Sequence, residues 1–501
     1  MLFRSFAAIV VAIAVSACSL SVKPKQYAGV PGQPYTCLNY AIAVGISPPP
    51  NGLVGDPFLD RVTAAARTER AASKTEPVSD SMLFLSGGSQ HGAFGAGFMQ
   101  RWSEMRGGSL PRFRVVTGIS TGALQSTLVF IGEPGEIVNR YAVVAEGELL
   151  QANTAAQIDG GGVEAIKAAV TIVKKGALAE LVPLRGQLLG TGPDDPRGIL
   201  TAQRLGRVAQ EAGDGRKLFA GAVELDTGLA VAFDLTKMAE DYVAERSPLR
   251  QETLRKCYAE ALVASSSVPI AAQPSFIEGK MFIDGGARFG VLPAQMLELG
   301  RRMMKQRIAA GERPNLFVVV NGTLQTTAKC DLADCKGGIA GDPIPPTALK
   351  SRAHGDWSFP ALAFRSLSIL INQSYVSSVE LARRDAAWCQ REPLAGDGQD
   401  CVKDDALDAM NVHFVRILPD EMDGGMFRVN GLRTPIDSDR PFEDVARTCA
   451  DWSREDEKLE KPRPHEFHPR YMRCLIRYGA KVAENLDWAK YEPQVVLTSQ
   501  Q

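Results

Sequence analysis

Met82-Leu-Phe-Leu-Ser86 is a short apolar run that breaks into Gly87-Gly88-Ser89-Gln90-His91-Gly92 and restarts as Ala93-Phe94-Gly95-Ala96-Gly97. Val115-Val116-Thr117 is a second apolar run, and it breaks into Gly118-Ile119-Ser120-Thr121-Gly122. Each reads as a buried strand, a tight glycine turn and the start of a helix. Successive N–H groups at the first turn suit an anion. The second turn sets a serine between two residues without side chains, the geometry of a nucleophile elbow. Together the two breaks point to chemistry on an acyl ester.

Outward from this stretch the same alternation continues. The pattern predicts helices at 92–105 and 121–130, then at 135–150, 163–181 and 201–212. Leu218–Val223 and Leu229–Phe233 read as strands joined by a turn at Asp226-Thr227-Gly228. A helix follows at 250–264, a strand at Met281–Ile283, a helix at 295–310 and a strand at Leu316–Val320. Asp56-Pro57 opens a helix to about residue 73, as Asp at the cap and Pro at the first position favour. Residues 361–387 form the longest helical stretch, which covers the sheet or shapes a lipid-access groove. A strand is expected at Val412–Leu418, solvated surface at 433–465 and a last helix at 469–486. Strands alternating with helices through 82–320 favour a mainly parallel sheet covered on both faces.

Ser120 needs a base. Asp-Gly-Gly occurs at Asp159, Asp284 and Asp423. Asp284 ends an apolar strand, a rigid place for a carboxylate. Asp159 precedes a helix and reads as a cap or turn, and Asp423 reads as a hairpin turn. Gly87–Gly92 lacks a following Gly-Lys-Ser/Thr, which argues against a phosphate loop. No Cys/His spacing suggests zinc.

These motifs, in this order, resemble the patatin-like phospholipase family. Leu218–Gly228 and Ala264-Ser-Ser-Ser-Val-Pro269 resemble it too, so the likeness covers roughly residues 80–325. The resemblance implies an α/β three-layer sandwich with a mainly parallel central sheet and helices on both faces. It also implies a Ser–Asp dyad that cleaves lipid acyl esters through an acyl-enzyme, with no metal or cofactor. Carried over, Ser120 is the nucleophile, Asp284 the general base, and the backbone of Gly87, Gly88 and Ser89 the oxyanion hole. The chain departs from the family loop at Ser89, where a third glycine is usual, and at His91, where a basic residue is usual. A Ser-His-Asp esterase is the alternative within the same class, with His354, His413, His465 or His468 as base. A non-catalytic envelope protein that binds lipid or a protein partner is the alternative outside it.

The composition is that of a globular chain: 501 residues, 45% hydrophobic and 23% charged, with a net charge of −1. That charge leaves no basic footprint for nucleic acid. Met1-Leu-Phe-Arg4 carries one positive charge before the apolar run Phe6–Val15 and the small residues leading to Cys18. This is a secretory signal, and its end resembles the lipobox of bacterial lipoproteins. Expected organisation is therefore a signal peptide at 1–17, a tether and N-terminal extension at 18–78, a catalytic core at 79–325 and a C-terminal extension at 326–501. Lipidation of Cys18 would hold the chain on a membrane facing the periplasm, and Ser19 favours the outer membrane. Nine cysteines less Cys18 leave eight, an even number suited to disulfides in an oxidising compartment. Near neighbours pair most simply: Cys330 with Cys335, Cys389 with Cys401, Cys449 with Cys474. Cys37 with Cys257 is left by elimination, among 105 arrangements.

Overall fold

The computed structural model describes residues 37–44, 78–153, 176–292, 315–324, 359–387, 411–422, 426–432, 445–459 and 466–491. The signal and Cys18, the helices expected at 57–73 and 295–310, Asp159, Asp423, His354, His465, and Cys330, Cys335, Cys389 and Cys401 lie outside these residues.

Nine strands form one sheet: β1 (Ala41–Val44), β2 (Ser79–Leu85), β3 (Phe113–Ile119), β4 (Lys217–Glu224), β5 (Ala230–Asp234), β6 (Ser275–Ile277), β7 (Lys280–Asp284), β8 (Asn315–Val320) and β9 (Asn411–Arg416). The run β9-β8-β2-β3-β4 is parallel throughout. Beyond β4 the pairing turns antiparallel, through β5 to β1 on one edge and through β7 to β6 on the other. The sheet is thus mixed, mostly parallel and flanked by helices. It also recruits β1 and β9, which lie outside the stretch expected to form the core.

Side chains alternate across the strands, as the pleat demands. Leu83 and Leu85 enter the larger core, and Met82 and Phe84 the smaller one behind the sheet. The larger core is built with α1 (Gly92–Met105), α2 (Thr121–Phe130), α3 (Pro134–Tyr141), α4 (Val182–Leu189), α5 (Ala202–Gly213), α6 (Leu235–Ala244) and α7 (Pro248–Ser266). The second face is covered by Phe289, Val291 and Leu292 and by Val379 of α8 (Phe359–Ala387). Two further helices, α9 (Cys449–Leu459) and α10 (Pro469–Glu484), complete the first face. α10 crosses α1 closely: a Cβ on Gly479 would stand 2.1 Å from the Phe94 carbonyl oxygen, and one on Gly97 1.9 Å from that of Ile476.

Several expectations need correction. The helix expected over 135–150 stops at Tyr141, and Gln151–Ala152 instead pairs with Ala179–Glu180. Of the helix expected over 163–181, residues 163–175 lie outside the described ones, and it does not reach 181: Ala179–Glu180 is extended and paired, and α4 begins at Val182 with Pro183 in its first turn. α6 was not expected. Asp234 caps it, accepting from the N–H of Lys237 at 2.9 Å, at the very end of a strand. Within 433–465, α9 is not solvated surface: Trp452 and Asp456 are fully buried, and Asp456 pairs with Arg470 at 2.6 Å.

Two disulfides lie among the described residues. Cys37–Cys257 ties the N-terminal segment to α7, and Cys449–Cys474 ties α9 to α10. No helix among these residues is long and apolar enough to cross a membrane.

Candidate active site

Strand β4 brings the site together. Its residues 217–221 pair with β3, ending at Ile119 opposite Gly221. Its residues 222–224 pair with β7, with Asp284 opposite Ala222. Its other edge is taken by β5. Because β7 runs antiparallel and β3 parallel to β4, their C-terminal ends meet on the same edge. Ser120 follows one end and Asp284 is the other.

The Ser120 side chain lies close enough to the Asp284 carboxyl to favour its charged form. Both residues are buried, at 5% and 3% exposure, so water does not compete for that contact. Ser120 has φ 53° and ψ −124°, a strained backbone for a residue with a side chain. The surroundings hold it there. Its N–H donates to Ser265 Oγ at 2.8 Å, and Ser265 Oγ–H donates to the Gly221 carbonyl at 2.6 Å. Ser265, in α7, thereby braces the elbow against β4. The flanking glycines have no room for a Cβ: at Gly118 it would lie 2.4 Å from the Gly122 carbonyl oxygen, and at Gly122 2.3 Å from that of Leu85.

Asp284 accepts the Gly286 N–H at 2.6 Å. Burial pushes its carboxyl up to about 7, against the opposing hydrogen bonds from Ser120 and Gly286. A carboxylate in that range accepts a proton near neutral pH far better than an exposed aspartate.

The first glycine turn lies beside the elbow. Gly88 has φ 148° and Ser89 φ 49°. Among the described residues, no acceptor is bonded to the N–H groups of Gly87, Gly88 or Ser89. The loop is moored from β8: Asn321 Nδ2 donates to the Ser86 carbonyl at 2.8 Å, and Asn321 Oδ1 accepts the Gly95 N–H at 3.2 Å. Ser86 Oγ accepts the Asn321 N–H at 2.8 Å. His91 Nδ1–H caps the Gly88 carbonyl at 3.0 Å, and its ring meets Tyr471 edge-on. Burial lowers its pKa, favouring the neutral ring.

The other described histidines are engaged elsewhere. His413 stacks on Phe317 and contacts Asn315 Oδ1 at 3.0 Å. It sits in register with Phe317, Leu83 and Val116, roughly 13 Å of strand before Ser120. His468 Nδ1 contacts Ser453 Oγ at 3.0 Å, at the start of α10. Among the described residues no three His, Cys, Asp or Glu side chains gather as a metal site would.

A cavity opens at Ser120 and Ser89. Its walls are apolar: Leu124, Leu128, Ile137, Leu184, Ile199 and Phe467 among them. Ser265, Asn321 and Ser86 were not singled out from the sequence. Only Ser265 carried a signal there, inside the Ala264–Pro269 motif.

A serine on a strained strand-to-helix elbow thus stands above a mostly parallel sheet, beside a buried carboxyl. Residues 83–297 match the family model described as patatin-like phospholipase, and this domain of the chain belongs to that family. Lipid acyl hydrolysis is the general activity such a domain supports. No curated protein matches the chain.

Proposed function

We propose that the chain is a serine carboxylic-ester hydrolase of phospholipase A or lysophospholipase type, working through Ser120 and Asp284. Ser120 Oγ attacks the ester carbonyl carbon while Asp284 takes its proton. The carbonyl oxygen becomes an oxyanion against the N–H groups of the Gly87–Ser89 turn. Collapse breaks the ester C–O bond, and the proton on Asp284 passes to the departing alcohol. Water then attacks the acyl-enzyme, Asp284 again accepting a proton, and the carboxylic acid leaves as Ser120 regains its hydrogen. The apolar cavity beside Ser120 takes the acyl chain.

The observation that carries this reading is the placement of Ser120, on its strained elbow after β3, beside the buried Asp284 at the end of β7. The engagement of His413 and His468 elsewhere leaves the triad alternative without support among the described residues.

The same reading makes the protein a bacterial envelope enzyme, lipid-anchored through Cys18 and facing the periplasm, with the outer membrane as its address. The Cys18 motif supports this, and disulfides fit an oxidising compartment.

A fluorophosphonate probe tests the chemistry. The wild-type chain is expected to be labelled, and Ser120→Ala is not. Asp284→Asn keeps the fold and loses ester hydrolysis by a factor on the order of 10⁴. Well-folded protein that neither takes the label nor hydrolyses any acyl ester would sink the proposal.

A further inference from the structure

Helix α8 lies beyond the residues that match the family model, yet it enters the site. Tyr375 is buried there. Glycines from both site loops turn their bare face to its ring and hydroxyl. A Cβ on Gly87 would stand 1.8 Å from Tyr375 Oη, one on Gly286 2.7 Å from the same oxygen, and one on Gly290 2.6 Å from its Cγ. The Gly87 position is also 3.0 Å from Ser120 Cβ, and the Gly286 position 3.0 Å from Asp284 Oδ1. The phenol oxygen therefore sits between the two loops, close to both members of the dyad.

Two serines of α8 fix it. Ser374 Oγ–H donates to the Gly286 carbonyl at 2.9 Å. Ser378 Oγ accepts the N–H of Gly290 at 2.9 Å and of Val291 at 3.3 Å. Helix and Asp284 loop are thus stapled on either side of Tyr375.

Space-filling alone does not account for this arrangement. A phenylalanine ring would pack against Gly290 equally well, whereas the oxygen is what Gly87 and Gly286 accommodate. The apolar cavity touches Ser120 and Ser89 but not Tyr375. The phenol is therefore not part of the acyl-chain wall. Burial, and then the Asp284 charge, push its pKa well above the ordinary tyrosine value, so the group stays an O–H donor.

We propose that Tyr375 is a catalytic residue: its O–H donates a hydrogen bond to the oxygen that turns negative when Ser120 attacks the ester, alongside the N–H groups of Gly88 and Ser89. No proton is transferred. The phenol stays neutral and releases the bond when the oxyanion collapses. This inference rests on the Ser120 reading above.

The test is Tyr375→Phe in the full chain, assayed with a p-nitrophenyl acyl ester. The expected result is a fall in kcat of about 100-fold, the scale of losing one oxyanion donor. KM and Tm stay near wild type, because ground-state binding and packing are retained. Fluorophosphonate labelling slows with kcat, since the phosphonyl oxygen occupies the same position. A packing role would move neither rate. Wild-type kcat in Tyr375→Phe, with hydrolysis still dependent on Ser120, overturns this inference and leaves the Ser120 reading intact. So does Tyr375→Ala hydrolysing faster than wild type, which would make the phenol an obstruction. Absence of Ser120-dependent hydrolysis in the wild-type chain overturns both.

Discussion

The two glycine turns of the site look alike in sequence and are constrained in different ways. At 118–122 the crowding is local: Gly118 meets Gly122 and Ala123, and Gly122 meets Leu85 and Ser86 of the neighbouring strand. At 87–92 the decisive contacts at Gly87 and Gly88 come from far along the chain, while Gly92 meets Thr121 and Tyr141. Gly88 abuts the Asn321 backbone, Gly95 the Asn321 side chain, and Gly87 the Tyr375 hydroxyl. The glycines of one turn are crowded by its own helix and the adjoining strand end. The other is crowded at Gly87 and Gly88 by Tyr375 and Asn321, more than two hundred positions away. An elbow of the first kind can be recognised from a few residues. A loop of the second kind shows its glycines but not what they make room for.

Substitutions at the two turns should separate stability from chemistry. Gly122→Ala, whose Cβ would strike backbone oxygens that cannot yield, is expected to cost at least about 3 kcal/mol in denaturant unfolding. Gly87→Ala meets the tip of a side chain, so its cost should be nearer 1 kcal/mol while ester hydrolysis is largely lost. Equal destabilisation at both positions would erase the distinction.

Asn321→Ala comes next. It leaves the Gly95 N–H and the Ser86 carbonyl without their partner in a buried place. A loss of about 2 kcal/mol is expected, with slower hydrolysis and Ser120 still present. Unchanged kinetics in that variant would show that the first turn holds its shape without β8.

The pH dependence gives the smallest and most graded effect. Asp284 keeps its proton up to about 7 in the folded chain, whereas an unfolded aspartate loses it near 4. Between those values the native state binds the extra proton, so stability falls as pH rises through that window. Asp456, held up to about 6 chiefly by burial, adds to the fall in its lower part. Hydrolysis moves the other way and should rise through about pH 7 as Asp284 becomes a base. In Asp284→Asn the stability decline should shrink, read as a Tm advantage over wild type that grows from pH 5 to pH 8.

Much of the fold was legible where local signals agree. α1 and α2 run from Gly92 to Met105 and from Thr121 to Phe130, as the pattern implies, because glycine turns mark their starts and uninterrupted apolar periodicity their bodies. Ser120 and Asp284 stand out because each ends an apolar strand. The expected Cys37–Cys257 and Cys449–Cys474 bridges are present too. What stayed hidden depends on distant partners. β1 is a four-residue edge strand defined only by its pairing with β5. The charges of α9 read as solvated, yet Asp456 is buried because Arg470 meets it from another helix. Tyr375 was one aromatic in a long helix until the fold set it against Gly87.

The shared edge of β4 has a kinetic meaning. Ser120 and Asp284 meet only when β3 and β7 are both registered on that one strand, and a one-residue slip of β7 would turn the carboxylate to the opposite face. Helices can form early from local contacts, whereas this pairing closes a long loop of chain. On the proposed reading, catalytic competence therefore waits on both of these pairings. A molecule missing either pairing does not bring Ser120 and Asp284 together.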